Sequence, residues 1–232
     1  MKYQYRAVQS KVHRLIPSRF PPVSLFDWAD SAEELEEIAA LEGLTNERLA
    51  TEYGDIRLVA EADWVSGPGA TPLMAAFTHR GNSRFSDGSY GVYYAGDSLD
   101  TAIAETKFHR ERFLSASKEA PCLVQLREYT SMVVKHLVDL SHDQYKKYLH
   151  PNLSRYPLSQ TFGSELRANQ EWGLLYPSVR KKESKCVAIF RPPALTIPVQ
   201  GCHLDYIWDG SLISETRLSK LICTPTTTKS SR

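Results

Sequence analysis

The chain has 232 residues, of which 42% are hydrophobic and 24% are charged, and its formal net charge is +1. These values are typical of a globular protein with ample chain to bury a core. A nearly neutral chain lacks the basic footprint of nucleic-acid binding, so we expect no direct nucleic-acid partner. No apolar run approaches the roughly 20 residues of a membrane span, and the N-terminus lacks the apolar core of a signal peptide. We therefore expect a cytoplasmic protein with no membrane contact.

The four cysteines stand far apart and include no Cys-x-x-Cys pair. This spacing favours reduced, mostly buried thiols. Cys202 and His203 are neighbours, but the remaining ligand spacing of a zinc site is missing. We therefore expect no metal.

The first predicted strand covers residues 12–16 and ends at Pro17. Strand alternation sends His13 and Arg14 to opposite faces. An acidic helix then opens at 30–38, where Ser31 and Glu34 have the spacing of a capping box. Its charge is most simply explained as a solvated face.

A Gly-Pro-Gly loop at 67–69 precedes a predicted helix at 70–79. This loop is not a dinucleotide fingerprint, because Gly-x-Gly-x-x-Gly is incomplete and no strand leads directly into it.

Residues 84–105 carry the strongest functional signal in the chain. Arg84 can bind a phosphate, because its planar guanidinium donates paired hydrogen bonds. Tyr94 offers a flat face to a heteroaromatic ring, and Glu105 can stabilise a positive charge that develops on a sugar carbon. A substrate with a phosphate, a flat ring and a glycosidic bond fits this set, and NAD is the obvious candidate.

Local patterns place these residues on a strand and a helix. Residues 92–95 form a β-prone run, and Ser98 has the character of a helix N-cap. The apolar spacing that starts at Leu99 predicts a helix, with Glu105 beside the buried stripe. The alternative is a solvated helix glutamate, because Glu is mostly exposed.

A second patch, residues 173–180, predicts a strand that delivers Ser178 into a turn, and residues 186–190 predict a returning strand. Ser178 could be a nucleophile, a hydrogen-bond donor to a ligand or an ordinary turn residue. No Gly-x-Ser-x-Gly elbow surrounds it, so a serine hydrolase is disfavoured.

The rest of the chain is predicted to be scaffold. We expect an N-terminal elaboration over residues 1–60 that packs on the main domain, the main domain over 61–223 and a disordered tail over 224–232. The other predicted elements are strands at 121–128, 131–138, 185–191 and 201–208 and a helix at 158–169.

The order Arg84, Tyr94, Glu105 and Ser178 resembles the RES domain family, named for an Arg, a Glu and a Ser. The intervals of ten and eleven residues between the first three match the family pattern, and the resemblance extends from about Trp64 to Phe190. The usual Gly-Arg-Trp of the family is Ser-Arg-Phe here, which leaves the arginine in place.

The resemblance implies a toxin of a toxin–antitoxin pair that degrades NAD. Its fold would be α+β, an ADP-ribosyltransferase-like split β-sandwich with surrounding helices and an NAD-binding cleft. The partner would be a helix-turn-helix antitoxin, and a homo-oligomer is compatible with the family.

The resemblance also suggests roles for the residues, with NAD as a substrate and no cofactor. Arg84 would hold the phosphates, Tyr94 would stack on the nicotinamide side, and Ser178 would orient the ribose or amide. Glu105 would stabilise the developing cation. Such folds often place a basic residue on an early strand facing the nucleotide, which makes Arg14 a further binding candidate, ahead of His13.

Two other functions stay open at this point. A mono-ADP-ribosyltransferase would use the same first half-reaction, but such enzymes often carry a second Gln or Glu two positions before the catalytic Glu. Here that position is Ile103, which favours a small acceptor. A non-catalytic binding module is disfavoured by the intact Arg84, Tyr94 and Glu105.

Overall fold

The structure is a computed structural model that describes residues 3–18, 34 and 54–219. The predicted tail at 224–232 lies outside these residues, as does the predicted acidic helix at 30–38 except for Glu34, which is helical. Within the described ranges, no helix is long and apolar enough to cross a membrane.

The described elements are strands and three α-helices, joined by short 3₁₀ turns. The strands are β1 Tyr5–Arg6, β2 Lys11–Pro17, β3 Asn82–Ser83, β4 Ser86–Asp87, β5 Tyr93–Gly96, β6 Cys122–Met132, β7 Leu137–Asp139, β8 Gly173–Pro177, β9 Lys185–Ile189, β10 Val199–Trp208 and β11 Ile213–Ser219, and the helices are α1 Thr71–Thr78, α2 Leu99–Ala116 and α3 Tyr156–Ala168.

Nine strands form one mixed sheet in the order β1-β7-β8-β9-β5-β2-β6-β10-β11, and β3 pairs with β4 in a separate hairpin. Neighbours are antiparallel except β7 and β8. The α+β class predicted from the sequence is confirmed. This sheet has two halves, one ending at β5 and the other beginning at β2.

The two halves are joined weakly. Strand β2 pairs with β6 along its whole length, whereas its described pairing with β5 is the one residue pair His13–Gly96. Beyond that pair the strands diverge, and Arg14 lies in the gap. Its Nη1 donates to the carbonyl of Tyr94 at 3.1 Å, and its guanidinium lies 4.7 Å from the ring centre of Tyr93. Arg14 thus satisfies a carbonyl at the edge of β5 that β2 leaves unpaired.

Helix α2 begins where the sequence predicted. The Ser98 side chain accepts a hydrogen bond from the backbone N–H of Thr101, which makes it the N-cap. A Cβ atom at Gly96 would lie 2.8 Å from the backbone nitrogen of Ala102. The absence of a side chain there lets the start of α2 approach β5 closely, and this approach sets the position of Glu105 two turns later.

The other helices pack against the five-stranded half. Phe77 of α1 stacks on Tyr93 of β5 with ring centres 6.3 Å apart. Helix α3 lies against the β3–β4 hairpin, and its Phe162 stacks on Tyr148 at 4.1 Å. These contacts fix the segment around Arg84 between the sheet and α3.

The predicted boundary between two strands, at residues 128–131, was wrong. Residues 121–128 and the start of 131–138 form the single strand β6, and β7 covers Leu137–Asp139. The long strand β10 pairs with β6 from Cys122 to Thr130, so the ladder extends across the predicted break. The sequence of β6 alone does not show this support from a distant strand.

Candidate active site

A cavity of about 500 Å³ opens beside α2, where β2 and β5 diverge. Its volume lies within the roughly 300–1,000 Å³ typical of ligand pockets. Its lining includes four of the five residues predicted to act at the site, namely Arg14, Arg84, Tyr94 and Glu105. The fifth, Ser178, is not among the lining residues.

Ser178 instead lies behind Glu105. Its Oγ donates a hydrogen bond to Oε1 of Glu105 at 2.7 Å and accepts hydrogen bonds from the backbone N–H groups of Arg180 and Lys181 at 3.2 and 3.0 Å. The two N–H donors fix the hydroxyl so that its hydrogen points at the carboxylate. The geometry therefore makes Ser178 a positioning residue for Glu105.

Two acidic groups beside Glu105 stay neutral. The Cys186 thiol lies 3.7 Å from Oε1 of Glu105, and burial, followed by the charge of Glu105, raises its pKa well above its usual range. Burial and the nearby Cys186 and Glu105 likewise raise the pKa of Tyr176. The negative charge at this end of the cavity thus belongs to the carboxylate of Glu105.

Arg84 is buried, with 7% of its surface exposed. Its Nη1 donates to the carbonyl of His150 at 2.8 Å, and its guanidinium lies 4.7 Å from the ring centre of Tyr156. Among the described residues, Arg84 makes no ion pair with a carboxylate. Its charge is therefore available to an anionic ligand in the cavity.

Tyr94 bonds to both neighbours of Arg84. Its hydroxyl accepts from the backbone N–H of Phe85 at 3.0 Å and shares a hydrogen bond with Ser83 at 2.9 Å. Burial raises its pKa, so the phenol is neutral. The ring lines the cavity, as expected for a stacking residue, and the hydroxyl holds the segment that carries Arg84.

A second arginine flanks the site. Arg180 donates to the carbonyl of Pro151 at 2.8 Å, and its guanidinium lies 3.4 Å from the ring centre of Phe108 on α2. Because Arg84 binds the preceding carbonyl, of His150, the two arginines hold adjacent peptide groups of one loop. The loop therefore borders the cavity in a fixed position.

Sequence reasoning missed Tyr176 and Cys186, which line the cavity beside Glu105. They face each other across β8 and β9. The predicted strand and return around Ser178 contained the signal, because pairing them places residue 176 beside 186. The carbonyls of His150 and Pro151 had no such signal, since any residue supplies a carbonyl.

His13 lines the cavity together with Arg14, but its ring is bound by a different partner. Its Nδ1 lies 2.6 Å from Oε1 of Glu128. Across the part of the chain that the structure describes, no group of three or more His, Cys, Asp or Glu side chains could hold a metal ion.

The RES domain family model matches residues 56–209, which is more than half of the chain. The chain therefore belongs to the RES domain family. It is 27% identical over 225 residues to the uncharacterized protein y4oC of Sinorhizobium fredii (strain NBRC 101917 / NGR234), covering 90% of this chain and 87% of the relative.

A chain in the crystal structure of the M. tuberculosis MbcT-MbcA toxin-antitoxin complex is similar with a TM-score of 0.46 and 13% sequence identity. The match covers 87% of this chain and 86% of that chain.

Proposed function

We propose that this protein cleaves the nicotinamide–ribose bond of NAD and acts as the toxin of a toxin–antitoxin pair. The chemistry rests mainly on one observation, the placement of Arg84, Tyr94 and Glu105 around a single cavity with Ser178 bonded to Glu105. The toxin role rests on membership of the RES family and on the implications of that resemblance.

Glu105 acts on the ribose. Loss of nicotinamide leaves positive charge on C1′ and the ring oxygen, in a transition state similar to that of glycoside hydrolysis. Nicotinamide is already a cationic leaving group, so no acid is needed to protonate it. A carboxylate beside C1′ stabilises the cation as it forms. Oε1 is bound by Ser178, and Oε2 makes no hydrogen bond with the described residues, so it is the oxygen that faces the ribose.

Arg84 and Tyr94 bind the rest of the dinucleotide. The guanidinium of Arg84 pairs with the diphosphate, and the ring of Tyr94 stacks on the nicotinamide side. Water or inorganic phosphate then attacks C1′. With water, the bond from C1′ to nitrogen breaks, the bond from C1′ to oxygen forms, and one proton leaves to solvent.

Purified protein incubated with NAD and scored for free nicotinamide tests the chemistry. We expect nicotinamide release with wild-type protein, and parallel reactions with and without phosphate identify the acceptor. A folded protein that releases none would contradict the proposed chemistry. Transfer of ADP-ribose to a protein or nucleotide in place of free ADP-ribose would identify the transferase instead.

Expression in cells tests the toxin role. We expect growth arrest together with a fall in cellular NAD, and relief of both by an adjacently encoded helix-turn-helix protein. Growth arrest at constant cellular NAD would support the toxin role but contradict the proposed cleavage of NAD.

A further inference from the structure

Helix α2 presents an imidazole and a guanidinium to the cavity beyond Glu105. His109 and Arg112 both line it, four and seven residues after Glu105. These intervals place the three side chains on one face of the helix. At 1.5 Å per residue, Arg112 lies about 10 Å further along the helix axis than Glu105. This face thus has a carboxylate at one end and an imidazole and a guanidinium at the other.

Positive charge is in excess among the residues that line the cavity. Glu105 is the one carboxylate among the described lining residues, against four arginines. Desolvation lowers the pKa of His109, the charge of Glu105 opposes this shift, and the charges of Arg180, Arg84 and Arg112 add to it. The charges of Arg84, Arg112 and Arg180 thus all act on the surroundings of His109, where these like charges repel one another. Within the described residues Arg112 makes no ion pair, so a ligand anion would relieve this repulsion.

Arg84 and Arg14 line the cavity and are the arginines available for a diphosphate, and each also binds a backbone carbonyl. Arg112 lies on α2 further from Glu105 and is not needed for the two charges of a diphosphate. A phosphate monoester carries about −1.5 to −2 charge at pH 7, which matches an additional guanidinium and imidazole.

We propose that Arg112 and His109 form a subsite for a phosphate monoester on the adenosine end of the dinucleotide, so that the protein cleaves NADP as well as NAD. This inference rests on the proposed function. The bond that breaks is the same nicotinamide–ribose bond, and the additional phosphate stays on the ADP-ribose product.

Inorganic phosphate has the same chemistry as a phosphate monoester, but its position would differ. An attacking phosphate must reach C1′, which lies beside Glu105. Arg112 lies about 10 Å away along the helix, a separation that suits the far end of a bound dinucleotide. The dinucleotide is therefore the source of the anion that this subsite fits.

Steady-state kinetics with both dinucleotides test the inference. We expect wild-type protein to cleave NADP at least as efficiently as NAD. Arg112→Gln should lower kcat/KM for NADP about tenfold or more, the scale of one charge-assisted contact, and change kcat/KM for NAD less than twofold. Lys107→Gln is the matched control, because Lys107 is on the same helix, lies 3.9 Å from Glu111 and does not line the cavity. It should leave both values unchanged.

Several results would overturn the subsite. These are cleavage of NAD without cleavage of NADP, an equal loss on both substrates in Arg112→Gln, and a variant that loses only the dependence of NAD cleavage on inorganic phosphate. The last result would assign Arg112 to the acceptor. Absence of nicotinamide release from either dinucleotide would instead count against the proposed function.

A binding measurement keeps the inference testable without turnover. Calorimetry on Glu105→Gln should show NADP binding about tenfold more tightly than NAD, with the difference lost when Arg112→Gln is added. Equal affinities for the two dinucleotides would overturn the proposal whatever the catalytic activity.

Discussion

The regions around Glu105 and Glu128 each hold a carboxylate near the junction of the two half-sheets, but they satisfy it differently. Both oxygens of Glu128 are bound, Oε1 by His13 at 2.6 Å and Oε2 by the backbone N–H and thiol of Cys202 at 3.1 and 3.2 Å. In Glu105, the hydrogen bonds from described residues reach one oxygen only. A fully bound carboxylate stabilises a fold, whereas one with a free oxygen beside a cavity can act on a ligand.

The backbone near Glu128 is also shaped around its carboxylate. Strand β10 has a register shift between Gln200 and His203, and a Cβ atom at Gly201 would lie 2.2 Å from Oε2 of Glu128. The irregular strand and the missing side chain make room for the carboxylate beside Cys202. This arrangement is structural, because both oxygens of the Glu128 side chain are bound within the protein.

The largest expected effect separates these two carboxylates by activity. Glu105→Gln should lower kcat for NAD cleavage about 10²–10³-fold, the scale for losing one preorganised electrostatic stabiliser, and should still bind NAD. Glu128→Gln should retain most of the activity of the folded protein. Steady-state kinetics of both variants, with NAD affinity of Glu105→Gln by calorimetry, check this. Near-wild-type turnover in folded Glu105→Gln would show that the assignment is wrong.

The next largest effect concerns binding. Arg84→Ala should raise KM for NAD about tenfold or more, because the phosphate contact exists in both the bound substrate and the transition state. Arg84→Lys should lower KM only part of the way back to the wild-type value, since an ammonium group lacks the planar, paired donors of a guanidinium. An unchanged KM in Arg84→Ala would leave Arg14 as the next candidate for the phosphates.

For stability we expect the opposite order, with Glu128→Gln affected more than Glu105→Gln. Glu128→Gln should lower the free energy of unfolding by about 1–3 kcal/mol at neutral pH, because a buried bonded group is disturbed. Burial alone would raise the pKa of Glu128, but hydrogen bonds from His13 and Cys202 lower it below the ordinary value of about 4.5. The ionised Glu128 side chain therefore stabilises the fold fully above about pH 4.5. This stabilisation is lost as the pH falls through the lower pKa that Glu128 has in the folded state.

Urea unfolding of wild-type and Glu128→Gln protein across pH 3–7 measures this difference. We expect the difference in the free energy of unfolding between the two proteins to decrease below about pH 4.5. Glu105→Gln is the matched control and should have near-wild-type stability. A difference in the free energy of unfolding that increases as the pH falls would contradict the predicted pH dependence.

A smaller effect tests the support of Glu105. Ser178→Ala should lower kcat about tenfold through loss of the 2.7 Å hydrogen bond, with KM changed less than kcat. Ser178→Thr keeps the hydroxyl and should restore part of kcat. If Ser178 contacted the substrate instead, both substitutions would mainly change KM.

The smallest effect tests the support of Arg84. Tyr94→Phe keeps the aromatic face but loses the hydrogen bonds to Ser83 and Phe85. We expect KM for NAD to rise a few-fold with little change in kcat, because Arg84 is displaced while Glu105 is not. A loss of kcat alone would place the Tyr94 hydroxyl at the reacting atoms.

The sequence predicted the parts of the site that depend on local patterns. Ser98 has the residue type of an N-cap, and the helical spacing after it placed Glu105 at the edge of a buried face. Both follow from neighbouring residues, so no distant contact is needed to infer them. Arg84 and Tyr94 were predicted from their chemical character, and in the fold both line the cavity.

Other features depend on long-range pairing and were not visible in the sequence. The position of Arg14 in the gap follows from where β2 separates from β5. The location of Ser178 behind Glu105 depends on how β8 and its turn lie against α2, so the sequence left its role open. The same limit explains the wrong division of β6, whose continuity depends on pairing with β10.

Release of free nicotinamide from NAD by matched preparations of wild-type, Glu105→Gln and Glu128→Gln protein tests the central claim most directly. We predict release by the wild type, a loss of about 10²–10³-fold in Glu105→Gln and near-wild-type release by folded Glu128→Gln. Equal release by Glu105→Gln and wild-type protein, or a comparable loss in both variants, would contradict the assignment of the cavity carboxylate as the group that acts on the ribose.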